Sequence, residues 1–260
     1  MTHNDPHVDS LEYKFTSDST RVFNDPPPLE HQASAFNLRL ADDHLTVEMK
    51  EHCATEHEAR ALVDPFVLAW EIDQALQSGA PRAIRFRFLQ SNVSDRQPPP
   101  PGSPALLTGT ASMTMTVNNP NLVVTAIKYP PPPEGFKASA DVATLWHRYE
   151  GHLLGREPLP GMAFFCLTSV EWLYGGDRRK AAQALSISFP VLAKLGELTS
   201  TRGDEATARK REEGRPLIPL TMREERWIHV VLKQMIRRVA MTAAGARPPT
   251  VLMADLPPLS

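Results

Sequence analysis

The chain of 260 residues has only two cysteines, Cys53 and Cys166, and it lacks long hydrophobic runs. Two cysteines cannot make the disulfide framework of a small secreted domain, so a reducing compartment is predicted. The N-terminus has no basic segment followed by an apolar one, as a secretory signal requires. No stretch approaches the ~18 consecutive apolar residues of a membrane-spanning helix. We therefore expect a cytoplasmic protein without a membrane partner.

Motifs for catalysis and for cofactors are also absent from the sequence. It contains no Gly-rich phosphate loop, no G-x-S-x-G elbow, no H-E-x-x-H and no C-x-x-C. Two clusters of titratable side chains stand out, namely His52, Cys53, Glu56 and His57, and His147, Tyr149, Glu150 and His152. In each cluster the histidines are five residues apart, which on a helix turns them about 140° from each other. Neither cluster supplies a tetrahedral ligand set, so we predict no metal and no cofactor.

Charge is present but unevenly distributed. Residues 178–247 hold 15 Lys/Arg and 7 Asp/Glu, a net charge of +8. The remainder holds 13 Lys/Arg and 23 Asp/Glu, a net charge of −10, and the two sum to −2. A basic segment joined to an acidic remainder favours contact with nucleic acid or with an acidic protein surface.

Proline is abundant, at 25 residues, and it clusters at positions 26–28, 98–101 and 130–133. Proline runs cannot continue a sheet ladder and favour extended connectors, so they indicate boundaries between folded segments. Residues 1–30 are polar and predict a mobile or loosely docked arm. The predicted order continues with a sheet domain at 31–130, a helical domain at 134–246 and an irregular tail at 247–260.

The sheet domain is predicted from alternating apolar and polar residues. Residues 36–40 and 45–49 alternate around a polar tetrapeptide, which predicts a β-hairpin. A short helix at 56–63, beginning at a Thr55–Glu58 capping box, is expected to kink at Pro65 into a longer one ending before Gly79. Three further strands are predicted at 83–89, 106–117 and 122–129. The fold class is therefore α+β: an antiparallel sheet with a packed helix, in the order β-β-α-β-β-β, followed by an all-helical domain.

In the helical domain the hydrophobic period changes to that of helices. Helices are predicted near 139–154, 161–174, 178–186, 189–199, 204–213 and 222–244. The last begins at a Thr221–Glu224 capping box and is expected to stop at Gly245. Five aromatic residues are assigned to the core and to helix contacts, in preference to a base-stacking surface, namely Trp146, Phe164, Phe165, Trp172 and Tyr174.

Residues 178–198, RRKAAQALSISFPVLAKLGEL, resemble a helix-turn-helix unit in their spacing. Small Ala181 and Ala182 would let two helices approach closely, and Pro190 suits a first helical turn. The resemblance implies that the second helix would enter the major groove of DNA. The turn position often filled by glycine is Ser186, however, and the second helix lacks the Arg, Asn and Gln residues that make bidentate base contacts. An ordinary helical hairpin in a bundle core is the alternative.

Basic residues in and around this segment are the candidate contacts to nucleic acid or to an acidic partner. Together with Ser188, they are Arg178, Arg179, Lys180, Lys194, Arg202, Arg209, Lys210, Arg211, Arg215, Arg226, Lys233 and Arg237. The alternative is a solvated helix face. Arg85 and Arg87 share the outward face of a predicted strand, where they could bind a protein partner or the arm, or pair with carboxylates on neighbouring strands.

Three functions are compatible with these features. The first is a non-enzymatic subunit whose basic helical domain contacts nucleic acid or an acidic protein. The second is a protein–protein adaptor or assembly subunit, in which the basic domain docks on the acidic part of another copy to form a homo-oligomer or a larger complex. The third is an enzyme with a pocket between the domains that uses the His52–His57 cluster.

Overall fold

The computed structural model describes residues 5–18, 21–96, 124–204, 207 and 217–259. The chain divides into two compact units. The sheet unit comprises Met1–Val67 and Arg82–Pro132, and the helical unit comprises Leu68–Pro81 and Pro133–Ser260. The chain passes from the first unit to the second inside one long helix and again at Pro132–Pro133.

In the part of the sheet unit that the structure describes, five strands form an antiparallel sheet in the order β3-β4-β5-β1-β6. A separate pair joins β2 to β7 in parallel. The strands are β1 (Pro6–Ser17), β2 (Arg21–Phe23), β3 (Leu29–Gln32), β4 (Phe36–Ala41), β5 (His44–Met49), β6 (Ile84–Asp95) and β7 (Val124–Ala126). With the helices of the second unit, this sheet confirms the predicted α+β class.

The predicted hairpin is confirmed by β4 and β5. Ala41 pairs with His44, so the turn is shorter than expected and consists of Asp42 and Asp43 alone. Both aspartates have positive φ, 49° and 58°, as a two-residue turn between twisted strands requires. Asp tolerates this conformation better than most residues.

The predicted mobile arm at residues 1–30 is wrong for Pro6–Ser17. These residues form β1, which is hydrogen-bonded to β5 on one side and to β6 on the other. Val8, Leu11, Tyr13 and Phe15 are buried. Leu11, Tyr13 and Phe15 alternate with polar residues, which make the segment hydrophilic on average. Val8 lies three residues before Leu11, and the pairing with β6 shifts register between Val8 and Ser10.

Helix α1 is continuous over Glu56–Ser78 and contains Pro65, so the two predicted helical segments belong to one helix. The capping box at its start is confirmed, because the Glu58 N–H donates to Thr55 Oγ1 at 3.2 Å and the Thr55 N–H to Glu58 Oε2 at 3.3 Å. The first half of α1 packs on the sheet, where Tyr13 Oη donates to Asp64 Oδ1 at 2.8 Å.

The predicted strand at 106–117 lies outside the described residues. The one at 122–129 is represented by the short β7, paired with β2.

Among its described residues, the helical unit contains the end of α1 and five further α-helices: α2 (Ala140–Leu153), α3 (Leu159–Leu173), α4 (Arg178–Ala184), α5 (Phe189–Thr201) and α6 (Met222–Ala243). These five match their predictions closely, while the one predicted at 204–213 falls largely outside the described residues. The capping box of α6 is present, and Gly245 follows the helix at φ 77°. Trp227, Leu167 and Leu192 are fully buried in one core cluster. None of the helices described has the length and apolarity needed to span a membrane.

Candidate functional site

Helices α4 and α5 form a compact pair within the helical unit. Asp177 caps α4 by accepting hydrogen bonds from the backbone N–H groups of Arg179 (2.8 Å) and Lys180 (3.2 Å), and these bonds lower the pKa of Asp177. The turn between the helices places Ser186 at φ 50°. This is the left-handed conformation that favours glycine. Ala181 and Ala182, predicted to lie where the two helices approach, are buried as expected, and so are Leu185, Ile187, Leu192 and Leu195.

The chain after α6 returns to this turn. The Ser188 N–H donates to the Val251 carbonyl and the Val251 N–H to the Ser186 carbonyl, both at 2.9 Å. Val251 and Leu256 are buried. The predicted irregular tail is therefore docked on the helical unit at these positions.

A cleft of about 730 Å³ lies between α4 and the segment that follows α6. It is lined by Tyr174, Lys180, Gln183, Ala184, Ser186, Thr242, Gly245, Ala246 and Arg247. Lys180 and Arg247 are exposed, and no ion pair joins either of them to another described residue. No carboxylate lines the cleft.

Other polar groups of the cleft can also donate to an anion. Gln183 contributes an amide and Ser186 a hydroxyl, whereas the Thr242 hydroxyl donates to the Ala184 carbonyl at 3.5 Å. Burial raises the pKa of Tyr174, and the charge of Asp141 raises it further, so the phenol keeps its proton and can donate. The cleft is thus a set of donors around two cations.

Four other predicted basic residues have carboxylate partners inside the helical unit. The pairs are Arg178–Glu171 (2.5 Å), Lys194–Glu197 (2.8 Å), Arg202–Glu224 (3.1 Å) and Arg237–Asp73 (2.6 Å). Glu224 and Asp73 are buried. Because these charges are compensated within the fold, the four basic residues do not belong to the candidate site.

The remaining predicted contacts differ in their surroundings. The Lys233 ammonium packs against Gly79, where an added Cβ would lie 3.2 Å from it, and burial together with the charge of Arg237 lowers its pKa. The Arg179 guanidinium lies 4.6 Å from the centre of the Phe189 ring. Ser188 is the N-cap residue of α5, and Arg226 is exposed. Arg209, Lys210, Arg211 and Arg215 lie outside the described residues.

Arg85 and Arg87 lie on β6 opposite Thr16 and Lys14 of β1. The residues directly across from them on that strand are therefore not carboxylates. A role of these arginines in binding a protein partner stays a prediction.

The first titratable cluster is joined by a residue that the sequence did not point to. His7 of β1 stacks on His52 with ring centres 5.3 Å apart, and the Cys53 N–H donates to His7 Nδ1 at 3.4 Å. Burial and nearby Arg96 lower the pKa of His7, although Asp9 partly opposes them. Among the residues that the structure describes, no group of three His, Cys, Asp or Glu side chains could hold a metal ion.

The second cluster is likewise completed by a residue distant in sequence. Tyr149 Oη and His229 Nδ1 are 3.0 Å apart, and the rings of His152 and His229 are 5.2 Å apart. His152 Nδ1 lies 2.8 Å from the Glu157 carbonyl, so it carries the proton and donates. Burial lowers the pKa of His229 to about 4, with His152 and Lys233 contributing.

The core assignment of the aromatic residues is wrong for Trp172. Its exposed fraction is 82%, whereas Trp146 is buried. Cys166, Leu167 and Val170 form the buried stripe of α3, and Trp172 lies off that stripe in the last turn. Trp172 lines a groove of about 450 Å³ together with Asp141, Thr144, Leu145, Phe165, Thr168, Ser169 and Leu173.

Comparison with protein-family models, with curated proteins and with solved structures found no match to this chain.

Proposed function

We propose that this chain is a non-enzymatic cytoplasmic subunit whose helical unit binds nucleic acid through the cleft between α4 and the segment after α6. The proposal depends on one observation: the cleft presents Lys180 and Arg247 without a carboxylate in its lining, whereas four other basic residues are paired within the fold. A polyanion binds more tightly when cationic side chains displace its counterions. A cation that is already paired within the protein contributes little to this binding free energy.

The type of side chain in the cleft favours nucleic acid over an acidic protein surface. Lys, Arg, Ser, Gln and Tyr are the residues that contact phosphate and sugar in protein–nucleic acid complexes. The tight turn at Ser186, with its positive φ, also supports the resemblance of this segment to a helix-turn-helix unit. The second helix still lacks residues for bidentate base readout, so binding through the backbone, with little sequence preference, is the form we propose.

Filter binding of labelled oligonucleotides at low salt tests this function. We expect the full chain to retain them and the double variant Lys180→Ala/Arg247→Ala to bind at least about 10-fold more weakly, since it loses two phosphate contacts. Lys194→Ala is the matched control, because Lys194 is paired with Glu197 and lies outside the cleft lining. If the chain retains no oligonucleotide but does retain poly-glutamate, the nucleic-acid proposal is wrong and the partner is an acidic protein. Equal losses in both variants would contradict the assignment of the cleft.

A further inference from the structure

Three of the four tryptophans are buried, and the fourth is almost fully exposed. Trp70, Trp146 and Trp227 have exposed fractions of 0%, 4% and 0%, against 82% for Trp172. Leu173 beside it is 41% exposed. The core of the helical unit does not use this indole, so its large apolar area is available to a ligand.

Trp172 lies close to the cleft along the chain. Tyr174, two residues later, lines the cleft, and two peptide units separate their Cα atoms by no more than about 7.6 Å. Gly175 and Gly176 follow at φ 72° and 75°, and α4 then begins at Arg178. The backbone that carries the exposed indole therefore adjoins the backbone at Tyr174, which lines the cleft.

The groove at Trp172 is better suited to a nucleic-acid base than to a phosphate group. Leu145 and Phe165 contribute apolar surface beside the indole. Asp141 repels phosphate, but its carboxylate can accept a hydrogen bond from the amino group of a base. The cations Lys180 and Arg247 line the cleft together with Tyr174.

We infer that the helical unit binds single-stranded nucleic acid, with a base stacked on Trp172 and phosphates held by Lys180 and Arg247. This inference depends on the proposed function and narrows its ligand from nucleic acid in general to single strands. Base faces are accessible in a single strand and are covered by neighbouring bases in a duplex. Stacking on an aromatic side chain combined with a basic groove is the general basis of single-strand binding. The positive charge of the adjacent cleft complements this ligand.

The inference is tested with the full chain and three probes: a single-stranded oligonucleotide, its duplex and inorganic polyphosphate. We expect the single strand to bind most tightly. It should also quench the fluorescence of Trp172, which is exposed, whereas the other three indoles are buried. Trp172→Ala should weaken single-strand binding about 10-fold and leave polyphosphate binding unchanged, whereas Trp172→Phe should retain most of the affinity.

Met222→Ala provides the matched control. Met222 is 86% exposed and begins α6, whereas Thr242 of the cleft lies 20 residues later on that helix, about 30 Å away. Single-strand binding that is equal in Trp172→Ala and Met222→Ala would overturn the stacking inference while leaving the proposed function intact. So would a duplex that binds as tightly as the single strand. Failure of all three probes to bind would overturn the proposed function as well.

Discussion

Two groups of basic side chains in the helical unit differ in their carboxylate partners. Lys194, Arg202, Arg237 and Arg178 each form an ion pair with a carboxylate. Lys180 and Arg247 in the cleft form no ion pair with a described residue, although the charges of Lys180 and Asp177 interact. The net charge of a segment therefore overstates the positive charge that a partner can reach.

The carboxylates in the paired group also have structural roles of their own. Glu224 accepts the Thr221 N–H at 2.8 Å in the capping box of α6, in addition to its pair with Arg202. Burial alone would raise the pKa of Glu224, but the hydrogen bonds from Thr221 and the charge of Arg202 lower it below its ordinary value. Such pairs belong to the architecture of the unit.

The largest expected effect concerns Glu224. Glu224→Ala removes half of the capping box and leaves Arg202 unpaired, so we expect the free energy of unfolding to fall by about 2–3 kcal/mol at neutral pH. Oligonucleotide binding by the folded variant should be unchanged. Chemical denaturation measures the first effect, and Glu225→Ala, exposed in the same turn, is the control. If Glu224→Ala lowers the free energy of unfolding no more than Glu225→Ala does, the structural role assigned to the paired charges is contradicted.

Charge reversal in the cleft should give the opposite pattern. For Lys180→Glu/Arg247→Glu we expect an unfolding free energy within about 0.5 kcal/mol of the wild-type value, because both side chains are exposed. Nucleic-acid binding should fall by more than 10-fold, as measured by fluorescence anisotropy. A large loss of stability would show that these cations are structural too.

The partly buried cluster of Tyr149, His152 and His229 adds a pH dependence to stability. The pKa of His229 is about 4 in the folded chain against an ordinary 6.5, so protons bind the unfolded chain more readily. The contribution to stability is complete above about pH 6.5 and is lost as the pH falls towards about 4. His229→Gln should make stability less dependent on pH in this range, as denaturation at several pH values would show. Exposed His147 serves as the control position, and a variant that keeps the wild-type slope would contradict the role of His229.

The smallest effect is expected at the turn between α4 and α5. Ser186 has φ 50°, so Ser186→Gly should stabilise the chain by about 0.5–1 kcal/mol. Ser188→Gly, at φ −63°, has no such strain to relieve and should not stabilise. Thermal denaturation distinguishes the two variants. Equal shifts would indicate that the turn does not hold Ser186 in the left-handed region.

Local signals predicted much of this fold. The capping boxes at Thr55 and Thr221 and the positive-φ glycines Gly79 and Gly245 mark real helix ends, and the hairpin follows from period two. The interior position of β1 could not be predicted, because it depends on pairing between Pro6–Ser17 and Ile84–Asp95, which are distant in sequence.

The candidate site was less accessible to sequence analysis for the same reason. Arg237 pairs with Asp73, which is 164 residues away in the chain. The neutralisation of the Arg237 charge therefore cannot be predicted from residues that are close in sequence. Arg247 was assigned to the tail, and its place in the cleft depends on the docking of Val251 beside Ser186. The exposed position of Trp172 could be suspected only from its offset from the buried stripe of α3.

The salt dependence of nucleic-acid binding tests the central claim most directly. Each phosphate contact to a single strand contributes about 0.7 to the slope of log affinity against log salt concentration. We predict that the slope for Lys180→Ala/Arg247→Ala is shallower than that of the wild type by about 1.4, whereas that of Lys194→Ala is unchanged. Identical slopes for wild type and the double variant would show that the cleft does not contact phosphates and would contradict the account.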